Sequence, residues 1–282
     1  MEQSSSSRHT LTDEQLSSYR RYGFAFPLDA MSDDRAAHYC DECNALEQLL
    51  GGRPRTVEVR QMHLHFPWAH RLCTEPAVLN AVEDVLGPNI VVWATELFAK
   101  AEEDPNLWIG WHRDRTYTGF AATEATTAWI ALAPSVEANG CMQVIAEPDR
   151  ATSQLDVPQA RRGGRLPTGT RPKPDVPDDD IVNVELKAGQ MSLHDGDVYH
   201  GSGANVSRIK RVGFAIRYVR GDAKPIQFRP TAVVARGRAS SETFDIVPAP
   251  TVTDVEPALA AMKRSATAHL DAMLENVKKL GA

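Results

Sequence analysis

From Ile90 onward the apolar residues of this chain change period, and that change limits the fold more than any other feature. The segments IVVWATELFAKA, TTAWIALAP, CMQVIAEP, IVNVELKAGQMSLH, DVYH and RVGFAIRYV are short and rich in Val, Ile, Phe, Tyr and Trp, with Gly, Asn, Asp and Pro between them. Because no helical pattern alternates with these strands, a doubly wound parallel sheet is disfavoured. Strand following strand predicts a mainly β protein built on a double-stranded β-helix, a cupin-like jelly roll.

Helices are predicted on either side of it. Thr12-Asp13-Glu14-Gln15 reads as a capping box, followed by Leu16 and Tyr19 at helical spacing and closed by Gly23. Ser32 caps a second helix that turns Ala36, Tyr39, Cys43, Leu46 and Leu50 inward and ends at Gly51-Gly52. A third is expected to start at Thr74, with Pro76 in its first turn, to carry Val78, Val82 and Val85, and to stop at Gly87. Near the C-terminus Leu259, Met262, Ala266, Leu270, Met273 and Val277 form one helical stripe, expected to pack on the sheet or on a second copy in a homodimer. Residues 150–180, dense in Pro, Gly, Arg and Asp, interrupt the strands as a long loop and are expected to act as a lid. The first ten residues are expected to be disordered, and the whole of 1–282 to form one domain.

Composition narrows the partners. A formal charge of -6 over 282 residues argues against a surface built to neutralise nucleic-acid phosphates. No apolar run reaches the ~18 residues of a membrane span and no hydrophobic signal core opens the chain, so a cytoplasmic location is expected. Cys40 and Cys43 form a C-x-x-C within a helical pattern, but the second pair that a zinc site needs is missing, which leaves them as ordinary thiols.

The chemistry begins at WHRDRTY, where His112 and Asp114 stand two residues apart after an apolar run. On a strand, residues i and i+2 share a face, so both side chains would reach one metal ion. A third ligand is available from His194 or His200, and two histidines with one carboxylate make the facial set of non-haem Fe(II) oxygenases.

His112-x-Asp114, followed by TAWIALAPSVEANGCMQVI and HGSGANVSRIKR, resembles the phytanoyl-CoA dioxygenase family of Fe(II)/2-oxoglutarate-dependent oxygenases, from about Glu14 to Tyr218. The resemblance implies His112, Asp114 and His200 as catalytic metal ligands, Fe(II) as the metal, and 2-oxoglutarate and O₂ as cosubstrates. It further implies an arginine about eleven residues beyond the distal histidine, at Arg211, to bind the far carboxylate of 2-oxoglutarate. Strand alternation gives that arginine independent support: Val212, Phe214, Ile216 and Tyr218 share one face, while Arg211, Gly213, Ala215 and Arg217 share the other. Arg217 is the second candidate. Thr127 is read as a further donor to 2-oxoglutarate; Ser202, Asn205 and Ser207 are read first as turn residues, and the resemblance implies them as its neighbours, while Trp129 is read first as a core aromatic and His194 as a hydrogen-bonded pocket or core histidine.

The implied reaction is hydroxylation or another oxidation of a C–H bond in a small molecule, with release of succinate and CO₂. A natural-product or amino-acid-like intermediate is the expected substrate. The cluster Arg53, Arg55, Arg60, His63 and His65 is read first as a basic surface and second as a site for an acidic group of the substrate, with Arg55, Arg60 and His65 as its candidates for substrate contact; Arg115 and Tyr117, beyond the metal pair, are further candidates. Departures from the family pattern at Arg113, Thr118 and AEPDRA bear on the substrate, not on the metal set. Two rivals are set against this reading. A halogenase would lack the carboxylate that Asp114 supplies, and a jelly-roll metal-binding or sensor protein would have no use for Arg211.

Overall fold

A computed structural model describes residues 10–52, 58–148, 176–224 and 229–280 of the chain. The expected lid up to residue 175, the first nine residues of the start that was expected to be disordered, and Arg53 and Arg55 lie outside the described residues.

The helical shell comes first. Helix α1 (Asp13–Tyr22) opens on the expected capping box: the Gln15 amide donates to the Thr12 hydroxyl at 3.2 Å, and the Gln15 side chain accepts from the Thr12 amide at 2.9 Å. Strand β1 (Phe24–Asp29) follows at once, in a stretch where no strand was expected. Helix α2 (Asp33–Leu49) is capped by Ser32 and buries Ala36, Tyr39, Cys43 and Leu46. The expected third helix starts later than Thr74 and is preceded by another. Helix α3 (Pro67–Cys73) and helix α4 (Pro76–Leu86) each carry proline in the first turn, and the Thr74 hydroxyl donates back to the carbonyls of His70 and Arg71. Thr74 therefore closes α3, whereas α4 starts after Glu75 and has no side-chain cap.

The strands that follow are β2 (Ile90–Lys100), β3 (Ile109–His112), β4 (Ala125–Ala131) and β5 (Met142–Ile145), with one helical turn, α5 (Arg115–Thr118), between β3 and β4. Next come β6 (Ile181–Val184), β7 (Gln190–Asp195), β8 (His200–Ser202), β9 (Arg211–Arg220), β10 (Thr231–Arg236) and β11 (Asp245–Ile246), before the long C-terminal helix α6 (Val255–Leu280). They form a seven-stranded sheet in the order β1-β7-β4-β9-β2-β10-β11 and a four-stranded sheet in the order β3-β8-β5-β6. Every pairing is antiparallel except β10 with β11. This is the two-sheet jelly roll expected from the strand rhythm. One expected strand is two: IVNVELKAGQMSLH breaks at Gly189, which lies at φ +80° against the Met31 carbonyl, and β6 and β7 join different sheets.

The large sheet has two unlike faces, and β9 shows why. Val212, Phe214, Ile216 and Tyr218 enter the main core with the helices; Phe214 meets Trp68 edge-on at 6.0 Å, and the Tyr218 hydroxyl donates to the Cys73 carbonyl at 2.8 Å. Burying each such side chain stabilises the fold by roughly 1.5–3 kcal/mol. The other face of β9 is turned to the small sheet and lines a cavity with Arg211, Ala215 and Arg217.

Helix α6 packs on its own chain. His269 lies 4.8 Å from the Trp93 ring and its Nδ1 is 3.0 Å from Gln61 Nε2, while Ser265 hydroxyl oxygen is 2.8 Å from His65 Nε2. Of the expected stripe, Met262, Ala266 and Met273 are buried, joined by Ala258 and His269. Among the described residues no helix is long and apolar enough to cross a membrane.

His63 is buried in this shell, with Nδ1 3.1 Å from the Thr95 hydroxyl, and burial, aided by the nearby His70 and His65, pushes its pKa down to about 3. An unfolded histidine titrates near 6.5, so below that pH the unfolded chain gains a proton that native His63 refuses. The stability that His63 contributes is complete above pH 6.5 and falls as the pH drops towards 3, by about 1.4 kcal/mol at pH 5.5. Thermal melts of the metal-free chain between pH 7.5 and 5.5 are expected to show a falling Tm, with a shallower fall in His63→Gln.

Candidate active site

Two histidines and an aspartate meet where the small sheet faces the large one. Strand β3 ends at His112, and β8, paired to it, begins at His200, so the two imidazoles lie side by side with ring centroids 4.1 Å apart. Asp114 does not continue the strand. Its backbone is already helical (φ -61°, ψ -34°), and the Tyr117 and Thr118 amides donate to its carbonyl as the first bonds of α5. The i, i+2 strand argument for the pair therefore fails for Asp114. What brings its carboxylate to within 3.7 Å of His112 Nε2 is the turn from strand into helix. One ligand atom from each of His112, Asp114 and His200 lies within 4.8 Å of the others.

The backbone fixes how the imidazoles are presented. His112 Nδ1 lies 2.8 Å from the Gly110 carbonyl and His200 Nδ1 lies 3.0 Å from the Val198 carbonyl. A carbonyl only accepts, so each Nδ1 donates and each neutral ring keeps its lone pair on Nε2. Burial lowers the pKa of both rings, and that of His200 falls well below the usual histidine range because the neighbouring His112 adds to the effect. Both are thus neutral, as metal ligation requires.

Asp114 is 4% exposed, and three residues in one row across the large sheet address its carboxylate. His194 on β7 pairs in register with Thr127 on β4, which pairs with Arg217 on β9. The Thr127 hydroxyl donates to Oδ2 at 3.0 Å, an Arg217 Nη2 stands 3.4 Å from Oδ1, and His194 Nε2 stands 3.8 Å from Oδ2. Burial alone would raise the pKa of this carboxyl, but the Arg217 guanidinium beside it holds it well below the usual range. Thr127, expected to donate to a cosubstrate, donates to Asp114. His194 is buried in the cavity wall as expected, but among the described residues neither ring nitrogen has a hydrogen-bond partner.

Phe98, Ile109, Trp129 and Met142 are among the apolar walls of the cavity. Arg211 and Arg217 lie six residues apart on β9, roughly 20 Å at strand rise, and so mark its two ends. They keep different company. Arg217 bridges Asp114 and Glu96, whereas Arg211 donates to the Gly140 carbonyl and lays its guanidinium 5.2 Å from the Trp129 ring. Trp129 is therefore a wall of the cavity as well as a core aromatic. Lys100, in register with Arg211 on β2, is 1% exposed and donates to the Gly140 and Gly203 carbonyls and, at 2.8 Å, to the Ser202 hydroxyl. Strand patterning did not single it out; a lysine at the end of an apolar strand, opposite Arg211, was the available signal. Ser202 lines the cavity, while Asn205 and Ser207 tie the following turn together as expected.

The expected substrate residues are elsewhere. Arg60 is 5% exposed and bound to Glu96 at 2.6 Å, and His65 is bound to Ser265 on α6. Neither lines the cavity; each is engaged within the shell. Arg115 pairs with Asp197 at 3.1 Å, and buried Tyr117 sets its ring edge-on to His112 at 6.0 Å. Tyr117 thus packs against His112 and is not part of the cavity lining.

The sequence profile of the phytanoyl-CoA dioxygenase family matches residues 19–213. A phytanoyl-CoA dioxygenase of Arabidopsis thaliana is 32% identical over 111 residues, which is 39% of this chain and 38% of that protein's length. Among solved structures, the non-haem monooxygenase ThoJ as its Ni complex is 26% identical with a TM-score of 0.74, covering 93% of this chain and 99% of that one. CytC3 with Fe(II) and alpha-ketoglutarate shares the fold at 18% identity and a TM-score of 0.58, over 85% of this chain and 93% of that one.

Gly213 allows Trp129 to lie where it does: a Cβ there would fall 1.9 Å from the indole Cζ2. Gly213→Ala is expected to drive the ring off Arg211 and to destabilise the fold by about 1–3 kcal/mol, the usual cost of overpacking. Denaturant unfolding followed by tryptophan fluorescence measures both effects.

Proposed function

This chain belongs to the phytanoyl-CoA dioxygenase family of Fe(II)- and 2-oxoglutarate-dependent oxygenases, and on that premise we propose that it oxidises an unactivated C–H bond of a small molecule at a metal held by His112, Asp114 and His200. The observation that carries this reading is the convergence of those three ligand groups in a cavity whose other end holds Arg211. A natural-product or amino-acid-like intermediate is the proposed substrate class, and similarity to a non-haem monooxygenase over nearly the whole chain supports monooxygenation as the outcome.

The donor set fits the group. Two neutral imidazoles with Nε2 lone pairs and one ionised carboxylate suit Fe(II) and leave other coordination positions to small ligands. When bound, Fe(II) with 2-oxoglutarate supplies the O₂ activation that C–H oxidation needs, releasing succinate and CO₂. The chain's own residues bind and orient. Arg211 offers a planar guanidinium to the far carboxylate of 2-oxoglutarate, Trp129 holds that guanidinium from one face, and Lys100 with Ser202 adds positive charge and a hydroxyl at the same end. Phe98, Ile109, Trp129 and Met142 supply apolar walls that exclude water. Asp114 occupies the position that a halogenase leaves open to chloride, and a metal sensor has no need of the Arg211 end.

Metal titration combined with succinate measurement tests the reading. His112→Ala and His200→Ala are expected to abolish Fe(II) binding and turnover, while His194→Ala keeps the metal. Arg211→Ala is expected to keep the metal and raise the 2-oxoglutarate KM at least tenfold, since truncating one side of a buried charge pair costs about 2–5 kcal/mol. Metal binding that survives in His200→Ala and is lost in His194→Ala would replace the distal ligand.

A further inference from the structure

The family match ends at residue 213, yet the charge nearest Asp114 comes from Arg217, beyond it. Arg217 is the first link of a buried chain of alternating charge. Its Nη2 stands 3.4 Å from Asp114 Oδ1 and its Nη1 stands 3.2 Å from Glu96 Oε2. The other oxygen of Glu96 takes Arg60 Nη2 at 2.6 Å, and Arg60 Nη1 reaches the sulfur of Met273 on α6 at 3.0 Å. Glu96 is 2% exposed in the apolar run of β2, and Arg60 is 5% exposed.

Stability is a poor reason to bury such a chain, because the desolvation of each ion is costly and apolar residues of similar volume do as well or better. The distances suggest another reason. They lengthen from 2.6 Å at Arg60–Glu96 to 3.2 Å at Glu96–Arg217 and 3.4 Å at Arg217–Asp114, so the tight pair lies at the shell and the loose one at the ligand. Oδ1 is also the Asp114 oxygen nearest His112 Nε2. A guanidinium drawn fully onto Oδ1 would compete with a cation for it, and would add a like charge beside that cation. Glu96 takes up part of the Arg217 charge and holds one of its nitrogens on the far side.

We propose that Glu96 and Arg217 are positioning residues for the metal site: Glu96, anchored by Arg60 beneath α6, holds the Arg217 guanidinium back from Asp114, so that the carboxylate is oriented without being capped. The inference rests on the reading of Asp114 as a metal ligand. It makes a prediction of unusual sign. Removing the charge of Glu96 releases Arg217 onto Asp114 and weakens metal binding, and removing Arg217 as well restores part of what was lost. A residue that merely held β2 in place would give additive losses.

The test is Co(II) titration of the full metal-free chain, with circular dichroism and thermal melting to confirm folding. Glu96→Gln is expected to weaken Co(II) binding at least fivefold, and Glu96→Gln with Arg217→Gln to bind more tightly than Glu96→Gln alone. A smaller loss, or a double variant that binds no more tightly, overturns the proposal. Should Glu96→Gln fail to fold, Arg217→Lys serves, because a single ammonium cannot span both carboxylates: the visible spectrum of bound Co(II) is expected to change, and an unchanged spectrum overturns the proposal. A wild-type chain that binds no Co(II), or an Asp114→Ala variant that binds it equally well, overturns the metal-site reading itself and this inference with it.

Discussion

A carboxylate that is 4% exposed cannot remain charged by itself, and the compensation of Asp114 organises the centre of this protein. The fold meets the requirement with one cross-strand row. His194, Thr127 and Arg217 belong to three adjacent strands of the large sheet and share one register position, so a single row brings a hydroxyl donor, a cation and an imidazole to one carboxylate. The small sheet then supplies the two histidines from paired strand ends, each ring oriented by a backbone carbonyl. Sheet register, and not flexible loops, sets the mutual placement of these groups.

The same antiparallel pairing divides the cavity by charge. Arg211 and Arg217 lie six residues apart on β9, with Gly213 and Ala215 between them, and Gly213 leaves room for the indole of Trp129. At one end the positive charge of Arg217 is taken up by Asp114 and Glu96; at the other, Arg211 and Lys100 converge on one carbonyl, that of Gly140. The cation site proposed at the first end and the carboxylate site proposed at the second rest on this division.

Much of this was legible where a period exists to be read. The alternation of β9 separated core from cavity residues correctly, and the capping box and glycine of α1 placed that helix within a residue. Signals without a period were missed. Glu96 and Lys100 are single charged residues in an apolar strand, and nothing near them in sequence points to partners such as Arg60, 36 residues away, or Ser202, 102 residues away. Arg60 and His65 looked like a basic surface because sequence shows the charge and not the Glu96 or Ser265 that satisfies it. Asp114 was placed near His112 through strand geometry, although a turn into α5 does the work. Helix α3 is seven residues long, too short for an apolar stripe to stand out, and β1 is a six-residue run containing proline.

In the proposed reading His112, Asp114 and His200 hold one metal while Arg211 faces the far carboxylate of the cosubstrate. Anomalous diffraction from crystals grown without oxygen in Co(II) and 2-oxoglutarate measures this directly. A single anomalous peak bonded to His112 Nε2, His200 Nε2 and an Asp114 oxygen is expected, with the distal carboxylate of 2-oxoglutarate on Arg211. A peak ligated by His194 in place of His200, or a cosubstrate carboxylate seated on Arg217, would contradict it.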